Sequence, residues 1–304
     1  MLQGWLIALL TVEVWCYAWL TLRLLERGYS ALVVMVVIVG IALLWRASHA
    51  LVSFALVGGL RYRDGRHDIA GSNRAALWSE FCARLISFNW SQPFVGHVMG
   101  KEPAGRMTGT PVLLVHGYFS NRGMWFRFRK RLVNRNIGPV YSINLEPLFS
   151  GIDEFARQVH ERVEAICAET QSSQVLVIAH SLGGLVVRAY MATHGVDRVA
   201  QFITLGSPHH GTKLAAFGIG RCADQMQYHS DWLTMLAEME AASDVSMPPT
   251  LSIYTNNDDL VYPPESSALP WAQNVAVNGV GHVALLFSPA VFALVDKAIH
   301  HPHR

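Results

Sequence analysis

Residues 175–184 constrain the fold of this chain more than any other stretch. They form an apolar run, VLVIAH, that stops at Ser181 and gives way to small residues and a helical pattern. This order is typical of a buried strand, a tight turn and a helix, and the small residues Ala179 and Gly183 suit the close approach of strand and helix. A serine at such a turn lies above the edge of the sheet, and the helix N-terminus behind it favours developing negative charge. Ser181 is therefore a candidate nucleophile.

Strand and helix patterns alternate through the rest of residues 110–304. The predicted strands lie at 111–115, 140–143, 199–205, 251–254 and 274–278, and the predicted helices at 124–135, 153–168, 182–193 and 289–299. This alternation predicts an α/β fold, with a mostly parallel sheet and helices on both faces. Residues 213–249 form an insertion, which we interpret as a small cap lining an acyl pocket; plain packing on the core is the alternative.

Two apolar runs precede this core. Residues 2–22 contain Glu13 as their only charged side chain, and residues 31–45 contain none. The first run is long enough to span a bilayer as a helix, and residues 47–60 either extend the second helix or lie along the interface. The start lacks the basic region and cleavage site of a signal peptide. We therefore expect a membrane-anchoring hairpin of transmembrane helices over residues 1–60, with two buried helices of a soluble core as the alternative.

Arginines flank the apolar runs on both sides. The turn between the runs carries Arg23 and Arg27, and more arginines follow the second run, at positions 46, 61, 63 and 66. Because basic residues accumulate on the cytoplasmic side, this count favours a cytoplasmic position for residues 110–304. A periplasmic domain stays open, since the first turn is itself basic.

Residues 61–109 connect the hairpin to the core. Within them, residues 73–88 have apolar side chains near helical spacing, which predicts an amphipathic connecting helix whose stripe serves packing. Residues 100–109, with three glycines and a proline, are predicted to form a linker.

Composition excludes several classes of function. The net charge is +2 and the arginines are scattered, so a nucleic-acid partner is not expected. The four cysteines form no C-x-x-C pair, so neither a zinc site nor a disulfide framework is indicated, although a bridge from Cys167 to Cys222 stays open. The adjacent His209 and His210 lack further ligands at metal-binding spacing and are interpreted as a structural turn. We expect no metal; the oligomeric state is open.

The groups that a nucleophilic serine needs follow other predicted strands. Acyl transfer requires rigid donors to the oxyanion, and the backbone amides of Leu182 and of Tyr118, on the turn after strand 111–115, are the candidates. Asp258 follows the strand at 251–254 and is the candidate orienting carboxylate, with Asp259 as the runner-up. His282 follows the strand at 274–278 on a glycine-flanked loop and is the candidate general base.

Taken together, these segments resemble the α/β-hydrolase superfamily, and within it the bacterial lipase and esterase group. The matching motifs are LVHGY at 114–118, AHSLGG at 179–184, GSPHHGT at 206–212, DDLV at 258–261 and GVGH at 279–282. The resemblance covers residues 111–299 and has the Ser, Asp, His order of that fold. Ala179 departs from the pattern, since most members have glycine there.

The resemblance implies a catalytic triad and an activity. Ser181 would be the nucleophile, His282 the general base and acid, and Asp258 the orienting carboxylate, with the amides of Tyr118 and Leu182 as the oxyanion hole and no cofactor. The expected activity is serine esterase or lipase chemistry on a carboxylic ester, and the membrane hairpin favours a lipidic acyl ester. An acyltransferase or thioesterase using the same triad is one alternative, and a non-catalytic membrane scaffold on a hydrolase fold is another.

Overall fold

The chain begins with two long helices that pack as a hairpin. The structure, a computed structural model, describes residues 1–66, 70–96, 102–105, 108–243 and 245–301. Helix α1 spans Leu2–Glu26 and α2 spans Ala31–Arg63, so the apolar residues 47–60 extend the second helix. The Ser30 hydroxyl caps α2 by accepting from the Val33 amide.

Both helices are long and apolar enough to cross a membrane. Only 6% of an apolar 18-residue window of each helix is buried within the structure, whereas a core helix of a soluble fold is mostly buried. Glu13, the one charged residue of the first apolar run, pairs with Arg46 of α2 at 2.5 Å. A paired charge between the helices is compatible with an apolar surrounding.

Helix α3, Ala70–Ile86, connects the hairpin to the sheet and continues as a π-helical segment, Ser87–Val95. The predicted helix at 73–88 is therefore present. Its fully buried positions include Glu80 as well as Ala76 and Ala83, so the inward face is not purely apolar. The predicted linker at 100–109 lies partly outside the described residues, as does the end of the C-terminal tail at 302–304.

In the described part of the chain, six parallel strands form one sheet, in the order β2-β1-β3-β4-β5-β6. They are β1 Val112–Val115, β2 Val140–Ile143, β3 Val175–His180, β4 Val199–Leu205, β5 Thr250–Thr255 and β6 Gln273–Val277. The predicted α/β class with a mostly parallel sheet is confirmed. Because the strands are parallel, the loops that follow them all lie at one edge of the sheet, where ligands bind in such folds.

Helices cover both faces of the sheet. Helices α5 (Ile152–Thr170) and α6 (Leu182–His194) pack on one face, and α4 (Phe126–Asn134) and α9 (Pro289–His300) pack on the other. Each face has its own cluster of buried apolar side chains, with Val177 and Ala179 of β3 in the first and Ile178 in the second. This alternation explains the continuous apolar run of a strand that is buried on both sides.

The segment predicted as a cap contains α7 (Arg221–Gln225) and α8 (Asp231–Ala242). Glu240 of α8 accepts two hydrogen bonds from Arg188 of α6, at 2.8 and 2.6 Å, and both side chains are buried. A bidentate ion pair of this kind fixes orientation as well as distance, so α8 is held firmly against the core.

Candidate active site

Ser181 forms the sharp turn between β3 and α6. Its backbone has φ 54° and ψ −129°, a conformation that non-glycine residues rarely adopt. The Ser181 amide donates to the Leu205 carbonyl at 3.0 Å, and its carbonyl accepts from the Gly184 amide at 3.0 Å. The two hydrogen bonds therefore hold the turn in place. The Ser181 side chain is half-buried at the carboxyl ends of the parallel strands.

Glycines surround this turn because its neighbours approach closely. A Cβ atom on Gly183 would lie 2.6 Å from the Val115 carbonyl oxygen, and one on Gly117 would lie 2.7 Å from the Ser181 Cβ. Neither position has room for a larger residue. The crowding that the sequence predicted at Gly183 is thus present.

The two predicted oxyanion donors belong to residues near Ser181: Leu182 follows it in the chain, and Tyr118 follows Gly117, which packs against it. Leu182 is the first residue of α6, so its amide has no partner within the helix. Tyr118 lies on the loop after β1, and the buried His116 holds this loop: its Nε2 accepts from the Leu145 amide at 3.0 Å, so Nδ1 carries the proton and donates to the Gly117 carbonyl at 2.9 Å. Burial lowers the pKa of His116 to about 4, which keeps the ring neutral.

The Tyr118 side chain links the oxyanion loop to the cap segment. Its hydroxyl accepts from the Ile219 amide and donates to the Ile219 carbonyl, each at 2.9 Å. Its ring lies 6.3 Å from that of Phe119 and 6.4 Å from that of Phe149. A movement of the cap would therefore reach the oxyanion loop directly.

Asp258 and His282 form a buried pair. His282 Nδ1 lies 2.8 Å from Asp258 Oδ2, and both side chains are at most 2% exposed. The other carboxylate oxygen, Oδ1, accepts from the amides of Leu260 and Val261 at 2.9 and 2.7 Å. Asp259 does not face the ring; its Oδ1 accepts from the His282 backbone amide at 3.2 Å. This geometry favours Asp258 over Asp259 as the group that orients the imidazole.

The charges around His282 favour its protonated form. Burial alone would lower the pKa of His282, but Asp258, and then Glu80 and Asp259, outweigh burial and raise it. His180, at the end of β3, packs its ring 4.7 Å from that of His282 and contacts the His282 carbonyl through Nε2 at 3.2 Å. Burial holds the pKa of His180 well below its ordinary value, so this neighbour adds no charge.

Ser181 and His282 lie on neighbouring parts of the same sheet edge, but no hydrogen bond joins the Ser181 hydroxyl to the imidazole within the described ranges. Hydrogen bonds between catalytic groups are often long without substrate and tighten in the reacting complex. The structure thus forms the acid–base pair, and the imidazole packs against the ring of His180, the residue before Ser181.

Several charged or polar residues near the site were missed by sequence reasoning. Arg84 and Glu80 of α3 and Ser53 of α2 all reach the loops that carry Asp259 and His282. The one local signal was the i, i+4 spacing of Glu80 and Arg84, which is also common on solvated helix faces.

The neighbouring histidines of the turn after β4 point in different directions. His209 is buried with Nε2 3.1 Å from Thr204 Oγ1, and His210 Nε2 contacts the Ala268 carbonyl at 3.0 Å. In the part of the chain that the structure describes, no three His, Cys, Asp or Glu side chains are grouped as a metal site would require. Cys167 and Cys222 are both free.

Known proteins are similar in sequence to part of the core. A family model described as palmitoyl protein thioesterase matches residues 111–245. A triacylglycerol lipase of Burkholderia plantarii is 32% identical over 136 residues, which are 40% of this chain and 37% of that protein. A triacylglycerol lipase of Pseudarthrobacter phenanthrenivorans is 34% identical over 118 residues, 36% of each. The chain spans little more than a third of the length of these curated relatives.

A solved structure shares the fold over a larger part of the chain. The mature form of the Bacillus licheniformis lipase BlEst2 superposes with a TM-score of 0.57 at 16% identity, over 64% of this chain and 94% of that one. At this identity the likeness shows a common fold, and the superposed share leaves about a third of this chain outside it.

Proposed function

Because the chain belongs to the α/β-hydrolase superfamily, we propose that it is a membrane-anchored serine hydrolase that cleaves carboxylic esters, with lipidic acyl esters as its substrates. The buried Asp258–His282 pair at the same sheet edge as the Ser181 turn is the observation that carries this proposal. A non-catalytic scaffold has no need for an oriented imidazole beside a strained serine. The sequence relationship to two triacylglycerol lipases supports ester chemistry.

The reaction proceeds in two steps through an acyl-enzyme. The Ser181 hydroxyl attacks the acyl carbon while His282 takes its proton, and the amides of Tyr118 and Leu182 bind the oxyanion. The ester C–O bond breaks and His282 gives the proton to the leaving alcohol. Water then gives a proton to His282 as it attacks the acyl carbon, the bond between that carbon and the Ser181 oxygen breaks, and His282 returns the proton to the serine as the acid leaves. Asp258 holds His282 in the tautomer with Nδ1 protonated and stabilises the imidazolium.

Exposed apolar side chains beside the oxyanion loop support a lipidic substrate. Phe217 and Ile219 of the cap segment are 71% and 68% exposed, and Phe119 and Phe149 lie next to them on the loops after β1 and β2. Such a group is suited to an acyl chain rather than to a small polar ester.

The ends of the helical hairpin meet the same edge of the sheet. The amino group of Met1 pairs with Glu146, in the loop after β2, at 2.6 Å. Asp64, directly after α2, pairs with Lys213 of the cap segment at 2.8 Å. Both contacts support an active site that opens near the surface of the bilayer, where lipid esters are found.

We place the catalytic domain on the cytoplasmic face of a bacterial inner membrane. A two-helix hairpin returns the chain to its starting side, and Arg61, Arg63 and Arg66 follow on that side. Protection of a C-terminal tag from protease added to spheroplasts checks this orientation, and digestion of the tag in intact spheroplasts would instead indicate a periplasmic domain.

Thioester cleavage is the second candidate function. The match of residues 111–245 to a palmitoyl protein thioesterase family model favours it, and the same three side chains would perform the reaction. Parallel turnover of acyl esters and acyl thioesters of equal chain length, with and without an added alcohol acceptor, separates a lipase, a thioesterase and an acyltransferase.

The experiment that tests the proposal is the substitution of Ser181. We expect Ser181→Ala to abolish both labelling by a fluorophosphonate probe and turnover of p-nitrophenyl esters by the full chain in detergent. Ser173→Ala, exposed in the loop before the same strand, is the matched control and should retain both. Unchanged labelling or turnover in Ser181→Ala would refute the assignment.

A further inference from the structure

The two neighbouring carboxylates Asp258 and Asp259 hold His282 at two different places. Asp258 contacts the ring at Nδ1, at 2.8 Å, whereas Asp259 accepts from the backbone amide at 3.2 Å. Asp259 is completely buried. A buried carboxylate needs partners that replace its hydration, so what surrounds Asp259 determines whether the loop of His282 keeps its place.

The partners of Asp259 Oδ2 come from the N-terminal helices and not from the sheet. Arg84 of α3 donates to Asp259 Oδ2 through Nη2. Ser53 of α2 donates to the same oxygen at 2.5 Å. Both oxygens of Asp259 are thus occupied, one by the loop of His282 and the other by helices that precede the catalytic core in the chain.

Arg84 is itself fixed by two further contacts. Its Nε donates to Glu80 Oε1 at 2.7 Å, and its Nη1 donates to the His49 carbonyl at 3.0 Å. Because the planar guanidinium is bound on each of its nitrogens, it is held in one orientation. Its position is therefore set by α2 and α3 together.

Glu80 contacts the loop of His282 directly. Its Oε2 accepts from the Ala284 amide at 3.0 Å, while Ser79 Oγ accepts from the Gly281 amide at 3.3 Å. A Cβ atom on Gly281 would lie 2.5 Å from the Glu80 Cβ, so the loop rests directly on α3. The amides on both sides of His282 are thus held by α3.

We propose that Arg84 and Glu80 are positioning residues for catalysis: they hold Asp259 and the backbone around His282, and so keep the imidazole aligned between Asp258 and Ser181. The proposal rests on the triad function proposed above. Helices α2 and α3 then affect the reaction rate through the position of His282. An error of about 1 Å in the placement of a catalytic group can cost on the order of 100-fold in rate.

The test compares Arg84→Met with Arg84→Lys and with Arg162→Met in the full chain in detergent. Arg162 pairs with the buried Glu102 at 2.6 Å, beside β2 and away from His282, and serves as the matched ion-pair control. For each variant, kcat and KM are measured on a p-nitrophenyl ester, together with the rate constant and the final stoichiometry of fluorophosphonate labelling.

We expect Arg84→Met to lower kcat and the labelling rate constant by about 10- to 100-fold, with KM and the final stoichiometry unchanged. Arg84→Lys, which retains one charge toward Asp259, should recover part of the rate, and Arg162→Met should match the parent chain. Lower stoichiometry with an unchanged rate constant would show a purely structural role and overturn the proposal. Equal kcat in Arg84→Met and the parent would overturn it as well.

Asp259→Asn provides an independent variant if Arg84→Met does not fold. It keeps the shape of the side chain and removes the partner of Arg84, so a reduced labelling rate constant at full stoichiometry is again expected, and an unchanged one contradicts the proposal. Ser181→Ala distinguishes failure of the triad assignment from failure of the positioning role. If Ser181→Ala retains turnover, the triad assignment is wrong. If Ser181→Ala is inactive and Arg84→Met is fully active, only the positioning role is wrong.

Discussion

The two halves of the candidate active site are held in place by different forces. The nucleophile half, which comprises the loop after β1 and the turn at Ser181, is fixed by close backbone contacts of Gly117 and Gly183. The acid–base half, which carries Asp258 and His282, is fixed by buried charges and hydrogen bonds from α2 and α3. The first half is built by steric fit within the core, and the second by electrostatics from outside it.

The two kinds of support also differ in their distance along the chain. Residues 115–117 and 181–183 belong to neighbouring parallel strands and their turns, as the strand–turn–helix pattern requires. In contrast, Ser53 and Arg84 lie 206 and 175 positions before Asp259. The acid–base half therefore depends on the packing of α2 and α3, whereas the close contacts of Gly117 and Gly183 in the nucleophile half are made within the core.

The sharpest test within the acid–base half compares its two carboxylates. Asp258→Asn should lower kcat by roughly 10⁴-fold, because an amide at this place disfavours the required tautomer of His282 and does not stabilise the imidazolium. Asp259→Asn, which contacts only the backbone of His282, should cost far less. Steady-state kinetics on a p-nitrophenyl ester measure both, and a larger loss in Asp259→Asn would reverse the assignment of the two carboxylates.

The nucleophile half should respond to added volume rather than to lost charge. Gly183→Ala places a Cβ 2.6 and 2.7 Å from the carbonyl oxygens of Val115 and His116, and backbone atoms move only at a cost. We expect Gly183→Ala to lower the free energy of unfolding by about 1–3 kcal/mol, as measured by urea titration in detergent. Fluorophosphonate labelling should also be slower.

Gly40→Ala is the control for that substitution. Gly40 also lies within a helix, and a Cβ there meets nothing within 4 Å. Its unfolding midpoint should be equal to or above that of the parent chain, because alanine favours a helix over glycine, and its labelling should be unchanged. If Gly183→Ala lowered neither the free energy of unfolding nor the labelling rate, the nucleophile half would not be held by close packing.

The nucleophile half could be predicted from the sequence because its determinants are local. An apolar strand, a serine and small residues at fixed spacing specify the turn at Ser181, and the alternation of elements specifies the parallel sheet. The sequence makes Asp258 the candidate and Asp259 the runner-up but does not decide between them, since neighbouring residues on one loop differ only in the direction of their side chains. The geometry, with Oδ2 of Asp258 on the His282 ring, distinguishes them.

The support of the acid–base half was not predictable for a related reason. The apolar stripe of α3 indicated packing, and a Glu80–Arg84 pair at i, i+4 is what a solvated helix face also shows. Only the structure reveals that Glu80 points inward with no exposed surface. Burial of a charged side chain depends on partners remote in the sequence, here Asp259 and the amide of Ala284, and no local pattern specifies them.

The smallest expected effect concerns the pH dependence of the acid–base half. His282 must be neutral to accept the proton of Ser181, and its pKa is raised above the ordinary 6.5 because Asp258, Glu80 and Asp259 outweigh burial. The acid limb of kcat/KM should therefore lie above pH 6.5, with activity lost as the pH falls through it.

Glu80→Gln removes one of the negative charges that raise this pKa, so the acid limb should move to lower pH. Burial, with the nearby Asp259, raises the pKa of Glu80 itself to about 7, so this carboxylate is only partly charged where His282 titrates. The shift should accordingly be a fraction of a pH unit. Glu102→Gln, a mostly buried glutamate beside β2, should leave the limb in place. If the acid limb of Glu80→Gln stays at the same pH or moves to higher pH, Glu80 does not raise the pKa of the imidazole. In that case α3 would support His282 only by holding the backbone of its loop.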